Sequence, residues 1–571
     1  MESHWTPAFP SATLAPGGAR LLSAKGHRVA IFRVESGEIY AVDNACPHEG
    51  YPLVQGALKG CTLTCCWHNY KFDLRDGRCL LGEEHVRSFP VRVREGNVEV
   101  DLADPDPSAS LPQRWESLES GLRARRPGQA VRELARLTQA GVSPVQILAW
   151  CAAFDARYAE YGSTHALPVA ADALRVLPLL PARQAVLPLA FVVEMLADFD
   201  ALMPRRAAPA AQSPGDPAAL RALVEAEDAP GAEAMARGLA TSDREGLQAA
   251  ILALCADHFL DFGHGLIFTV RGFELLEAAD FAHAEDIVGA LAYNIVLGTR
   301  EDLLPEWKTY REQLARVDLP KLWERQLRAP AWWDRSGFLA VLLDGRATEA
   351  LEKLTELLWE GVALPDLAGT LAVAASERLL RFDLAIDADP TVQEAWLDCT
   401  HRLTFVNAVR LAAQRWRHPD LLRLFFQATF FVHRGKGLDA PPERRFRALP
   451  ASSASPARVL DAIRRRSPEE AVGLTRALLE DPADAGPLRD ALLPVCLGEI
   501  GVRPIFMAHM LKTCVAAFDE AEQLAPEPEW PLPILAVVRL LASPLREQRV
   551  AQRVHEALRF VDEGRPPRRL T

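Results

Sequence analysis

Cys46-Pro47-His48, sixteen intervening residues and Cys65-Cys66-Trp67-His68 make the strongest constellation of metal-ligating side chains in the sequence. Two thiolates and two imidazoles on paired loops suit a two-iron, two-sulfide cluster in which one iron takes both cysteines and the other both histidines. Neutral imidazole in place of anionic thiolate leaves less negative charge on the cluster, which raises its reduction potential. Such a site passes one electron at a time. The same four residue types satisfy tetrahedral zinc, but zinc motifs seldom sit among short strands like those that flank these residues. The adjacency of Cys65 and Cys66 leaves the register of the second pair open.

A second group of candidates lies far downstream. In Asp257-His258-Phe259-Leu260-Asp261-Phe262-Gly263-His264, a helical reading places Asp257, Asp261 and His264 within about 60° of one another, with His258 at the edge. Phe259, Phe262, Leu266, Ile267 and Phe268 make most of the surrounding surface apolar, and acids or histidines buried there need partners or a metal. A short polar strip facing water is the plain alternative. His401, His433 and His509 also stand in apolar helical text. One histidine of this kind is more often a hydrogen-bonded core residue than a ligand, and several together make a site more plausible. His258, His264, His401 and His509 are therefore the candidate catalytic residues. Lys512, three residues after His509, can share its face and present a cation to an enolate or carboxylate.

The elements that must carry these groups change character near residue 103. Before it, His27–Val34, Glu38–Val42, Val91–Arg94 and Val98–Val100 alternate like short strands, and Ser36-Gly37, Asp76-Gly77 and Glu95-Gly96-Asn97 punctuate them as turns. This reads as a small all-β domain over residues 1–103. Residues 104–115, rich in Asp, Pro and Ser, read as a linker. From 116 to 571 the period is helical, as in Val131, Leu134 and Leu137 or Leu351, Leu354, Leu357 and Leu358 before Gly361. Ser143-Pro144 and Ser467-Pro468-Glu469-Glu470 carry helix-start signals. The expected fold is multidomain: the β domain followed by a large all-α domain, with a helical solenoid as the bland alternative.

At 571 residues and 49% hydrophobic, the chain can bury a large core. A net charge of −12 disfavours nucleic acid and anionic membranes as partners. The start lacks a basic region followed by an apolar run, and the apolar stretch from Ala185 to Val193 carries Pro188, so the expectation is a cytoplasmic protein. Ten cysteines are too few for a disulfide scaffold, yet five of them fall within the first 79 residues.

Asn44-Ala45-Cys46-Pro47-His48-Glu49-Gly50-Tyr51-Pro52-Leu53 and Leu63-Thr64-Cys65-Cys66-Trp67-His68-Asn69-Tyr70-Lys71-Phe72-Asp73 closely resemble the two cluster loops of Rieske-type ferredoxins and of oxygenase Rieske domains. The resemblance settles the register on Cys65 and implies that Cys46, His48, Cys65 and His68 bind a [2Fe-2S] cluster. Cys61, Cys66 and Cys79 then have no ligand role. Ser88-Phe89-Pro90-Val91 resembles the third loop that covers the cluster in this family. Rieske proteins of respiratory complexes add a disulfide at positions held here by Tyr51 and Trp67, so the resemblance is to the disulfide-free, lower-potential branch.

The segments around His258 and His264, around His401 and around His509 are loosely similar to the all-helical questin oxidase-like family. That resemblance implies an oxidoreductase that inserts oxygen into an aromatic or polyketide-like substrate, with histidines from several helices lining the pocket. The combined expectation is an iron–sulfur oxidoreductase: an external reductase donates electrons, the cluster relays them, and a second metal or other cofactor in the helical domain uses them with dioxygen. The competing expectation is an electron-transfer ferredoxin whose helical part docks a separate enzyme.

Overall fold

The computed structural model describes residues 5–565 apart from 83, 105–106, 182–183, 199–205, 213, 327–331, 390–391, 393–394, 500–502, 526 and 545–548. The chain divides into two compact units, Met1–Val142 and Ser143–Thr571, each considered by itself.

The first unit holds eleven strands among its described residues: β1 (Trp5–Pro10), β2 (Ala19–Ala24), β3 (His27–Arg33), β4 (Ile39–Asp43), β5 (Ala57–Lys59), β6 (Thr62–Thr64), β7 (Lys71–Asp73), β8 (Cys79–Leu81), β9 (Ser88–Phe89), β10 (Val91–Arg94) and β11 (Asn97–Asp101). They form three antiparallel sheets in the orders β1-β11-β10, β2-β3-β4-β9 and β5-β6-β7-β8. The alternation of β3 and β4 supplies two cores. Ala30, Phe32 and Val42 point to one side with Cys46, Cys65, Leu63 and Phe72. Val29, Ile31 and Ala41 point to the other with Phe89, Val98 and Val100. Gly37, Gly77 and Gly96 sit in the three expected turns with φ of 98°, 77° and 78°, a region that suits glycine.

Two expectations need correction here. The unit does not end near residue 103, because two helices, α1 (Leu111–Arg123) and α2 (Pro127–Gln139), belong to it. The proposed linker over 104–115 is partly helical: Pro112 occupies the first turn of α1, where its missing N–H costs nothing, and residues 105 and 106 lie outside the described residues. Ser88-Phe89-Pro90-Val91 is not a loop over the cysteine and histidine pairs. Ser88 and Phe89 pair with β4 and Phe89 packs into the second core, away from Cys46 and Cys65.

The second unit is helical, and its stripes pack as expected: Leu351, Leu354, Leu357 and Leu358 are all buried on helix Ala347–Glu360, which Gly361 ends at φ 85°. Ser143 caps helix Pro144–Tyr158 in a reciprocal box with Gln146, whereas the Ser467 side chain makes no cap bond. Four helices matter for function: α3 (Ala166–Val176), α4 (His264–Ala278), α5 (Ala395–Arg415) and α6 (Pro504–Leu524). They close a ring, with α3 packed on α4, α4 on α5, α5 on α6 and α6 back on α3. No helix among the described residues is long and apolar enough to cross a membrane.

Candidate metal centres

Two loops of the first unit are built on one pattern. Cys46 N–H donates to the Tyr51 carbonyl and Gly50 N–H to the Cys46 carbonyl; Cys65 N–H donates to the Tyr70 carbonyl and Asn69 N–H to the Cys65 carbonyl. Gly50 and Asn69 take the left-handed turn position, at φ 75° and 59°. The first loop is pinned at its base by Asn44, whose side-chain oxygen accepts from Val54 N–H and whose carbonyl accepts from Leu53 N–H. The two turns face each other. Cys46 and Cys65 lie inside, 4% and 1% exposed, while the His48 and His68 side chains lie outside, 21% and 40% exposed. The histidine Nδ1 atoms are 3.1 Å apart. Burial, with Cys65 as neighbour, pushes the Cys46 thiol up to about 11, a cost that cationic iron removes by holding the thiolate. Tyr70 stacks on His48 at 4.7 Å, and Tyr51 stacks on the exposed Trp67. An inner sulfur pair and an outer nitrogen pair fit a cluster with one thiolate-bound and one imidazole-bound iron.

A second centre forms in the other unit, where the ring of four helices contributes one histidine each. His165, just before α3, and His264, the first residue of α4, meet Nε2 to Nε2 at 3.1 Å. His264 meets His401 of α5 at 2.7 Å, and His401 meets His509 of α6 at 3.0 Å, again through Nε2. One ligand atom from each of the four lies within 4.8 Å of every other. His509 Nδ1 lies 2.6 Å from the Ile505 carbonyl, which can only accept, so the proton sits on Nδ1 and the Nε2 lone pair faces the centre. Burial holds all four imidazoles well below their ordinary pKa, so they are neutral and free to act as ligands. Phe268 packs on His165 and His264, and Phe262 stacks on His401. Four neutral imidazoles directed at one point suit a transition metal.

Local chemistry places each ring. Thr164 Oγ1 accepts from Ala166 N–H at the start of α3, and Asp155 accepts both the N–H and the hydroxyl of Thr164. The chain reaches His264 through Asp261, Phe262 and Gly263, at φ 44°, 57° and 89°. Two turns along α3 and α4, Asp172 and Arg271 form a buried pair at 3.3 Å, and Arg271 also donates to Asn407 of α5. Asn407 and Arg410 both donate to the fully buried Glu520 of α6. This polar layer ties together the helices that carry the rings. Lys512 is buried with no hydrogen-bond partner for its amine, and burial lowers its pKa to about 7.

The Rieske [2Fe-2S] domain profile matches residues 4–92. The ferredoxin component of the naphthalene 1,2-dioxygenase system of Pseudomonas aeruginosa is 30% identical over 105 residues, 18% of this chain and 100% of that protein. Through this part the chain belongs to the Rieske [2Fe-2S] family. The Rieske domain is also 31% identical over 127 residues to the 4beta-methylsterol monooxygenase of Methylococcus capsulatus, covering 19% of this chain and 34% of that one. It is 40% identical over 93 residues to the cholesterol 7-desaturase of Hemicentrotus pulcherrimus, covering 16% and 20%. The chain thus spans about a third and a fifth of these two relatives. In the Rieske domain Tyr51 and Trp67 stack on each other, and none of the ten cysteines is in a disulfide.

Of the residues singled out from sequence, the structure brings together Cys46, His48, Cys65 and His68 in the first unit, and His264, His401 and His509 in the second. It does not bring His258 to the second centre. Residues 257–264 are not one helix: the preceding helix ends at Asp257, His258 is extended at φ −128°, and three left-handed residues separate it from α4. His258 instead bonds Asp302 and Glu225, each at 3.1 Å. His433 bonds the Gly345 carbonyl. The residue missed is His165. Its sequence signal is slight: a histidine after Ser163-Thr164, a helix-start pair, in otherwise apolar text.

Proposed function

We propose that this protein is a Rieske-coupled oxidoreductase. An external reductase loads the [2Fe-2S] cluster held by Cys46, His48, Cys65 and His68, and the electrons serve a metal held by His165, His264, His401 and His509, where dioxygen oxidises an aromatic or polyketide-like small molecule. The observation that carries the reading is the convergence of four neutral imidazoles from four helices, His401 and His509 buried and His165 and His264 half-buried. A buried cluster of imidazoles with no carboxylate among them is costly to build for packing alone.

A redox-active metal held there by His165, His264, His401 and His509 would supply dioxygen activation, which consumes electrons one at a time, as a Rieske cluster delivers them. The chain's own residues do the rest. Ile505 holds the His509 tautomer, Phe262 and Phe268 keep water from the rings, and Lys512 holds or releases a proton near neutral pH. The likeness to the questin oxidase-like family around His264, His401 and His509 supports the substrate class. So does the aromatic naphthalene in the name of one of the Rieske relatives.

Metal analysis and EPR on the full chain test the reading. Cys46→Ala loses the Rieske optical and EPR signals yet keeps stoichiometric metal in the helical unit, and His401→Ala does the reverse. A wild-type protein carrying only the cluster's iron would favour the competing assignment, an electron carrier whose helical unit docks another enzyme.

A further inference from the structure

Helix α2 reaches the loop that supplies two of the four cluster ligands. Arg136 donates from Nη2 to the carbonyl of Pro47, the residue between Cys46 and His48, at 3.1 Å. Its Nη1 donates to Glu84 at 2.8 Å and to Glu133 at 2.6 Å. Arg132, one turn earlier on the same face, clasps Glu84 with Nε at 3.0 Å and Nη2 at 2.6 Å. The Glu84 and Glu133 side chains are each 1% exposed, so both carboxylates are buried beneath partly exposed arginines. Arg114 of α1 adds a third guanidinium, 3.5 Å from Glu133. Three guanidiniums against Glu84 and Glu133 leave one net positive charge on the α1–α2 side of the loop, opposite Glu49, whose carboxylate lies 4.0 Å from His48 and 3.8 Å from His68. The same side carries Tyr70, stacked on His48.

A reduced cluster holds one more negative charge than an oxidised one, and local charge, hydrogen bonding and solvent access set its potential. A net positive charge in this partly buried group stabilises the reduced form, and the 24–32% exposure of the arginines lets salt screen part of the effect. We propose that α2 is a potential-setting element of the electron-transfer unit: the Arg132–Arg136–Glu84 group raises the cluster's potential, and Arg136 positions the Pro47 peptide that joins the ligands Cys46 and His48. The two carboxylates mark this as a tuned arrangement, because one arginine alone would satisfy the Pro47 carbonyl. The inference rests on the Rieske assignment and is independent of the second centre.

The test is redox titration of the full-length, cluster-loaded protein with visible and EPR detection. Arg132→Gln removes a positive charge and should lower the ratio of reduced to oxidised cluster at a given poise by roughly threefold to tenfold, tenfold being about 59 mV for one electron. Glu84→Gln removes a negative charge and must move the ratio the opposite way. Arg136→Lys keeps the charge but not the fork, so its potential stays near wild type while the EPR g-values shift as the Pro47 peptide loosens. A purely structural α2 would lower thermal stability in all three without opposed potential shifts, and that result overturns the proposal. If Arg132→Gln does not hold its cluster, Glu84→Gln decides alone: a rise supports the proposal, and no change or a fall ends it.

Discussion

Gly263 lies so close to Phe405 that a Cβ on it would stand 2.3 Å from the ring's Cδ2. The glycine also has φ 89°, a conformation that costs other residues about 1–2 kcal/mol. Both constraints act one residue before His264. Gly263→Ala should destabilise the helical unit by roughly 2–4 kcal/mol and lower its metal content, because the ring of His264 is displaced. Urea unfolding and metal-to-protein ratios check this. Full metal content with unchanged stability would show that the turn tolerates a side chain.

His165 and His258 make the sharpest contrast between structure and sequence. His165→Ala should weaken metal retention in the helical unit by more than the roughly hundredfold seen when a supporting group is lost. His258→Ala should leave metal content unchanged and affect stability alone. Competition with a chelator distinguishes them, and equal losses from both variants would place the metal elsewhere.

Asp155 contributes one part of the pH response. Burial pushes its carboxyl up to about 7, against hydrogen bonds from Thr164 that favour the charged form. A folded-state pKa above the unfolded one means that the native protein binds the extra proton, so stability is fully present at low pH and falls as pH rises from about 4 through 7. Relative to Asp155→Asn, the wild type should lose up to about 1.4 kcal/mol per pH unit across that window. Unfolding curves at pH 5, 6 and 7 measure it, and parallel curves would show no titration at residue 155.

Glu520 is fully buried and accepts from Arg410 and Asn407. Glu520→Ala should cost about 3–5 kcal/mol, since Arg410 is left buried without its counter-charge. Removing both charges, as Glu520→Leu with Arg410→Met, should cost much less. A double variant as unstable as the single one would mean that packing, not charge, dominates there.

The Rieske loops are legible in sequence because their ligands come in local pairs, with turn residues at fixed offsets: Gly50 and Asn69 four residues after Cys46 and Cys65, Tyr51 and Tyr70 five. The helical centre has no such grammar. Its contacts join residues 99, 137 and 108 positions apart, so no spacing announces them. His264, His401 and His509 stood out only as polar residues in apolar text, and His165, at a helix start, did not. His258 was placed by continuing a helical phase through Asp261 to Gly263, where three left-handed residues reset it. The end of the first unit was misjudged for a related reason: proline and serine before Leu111 look like linker whether or not a helix follows and returns an arginine to Pro47.

Four neutral imidazoles bring no negative charge to whatever they hold. Two of them, His165 and His264, stand at helix N-termini, whose dipoles add positive potential. A divalent ion in that setting keeps its entire charge in a place with little water to spread it. An ion held there would therefore attract small anions and substrates that bind as phenolates or enolates. That appetite would show as tight binding of azide, and it would favour acidic ring hydroxyls over plain hydrocarbons.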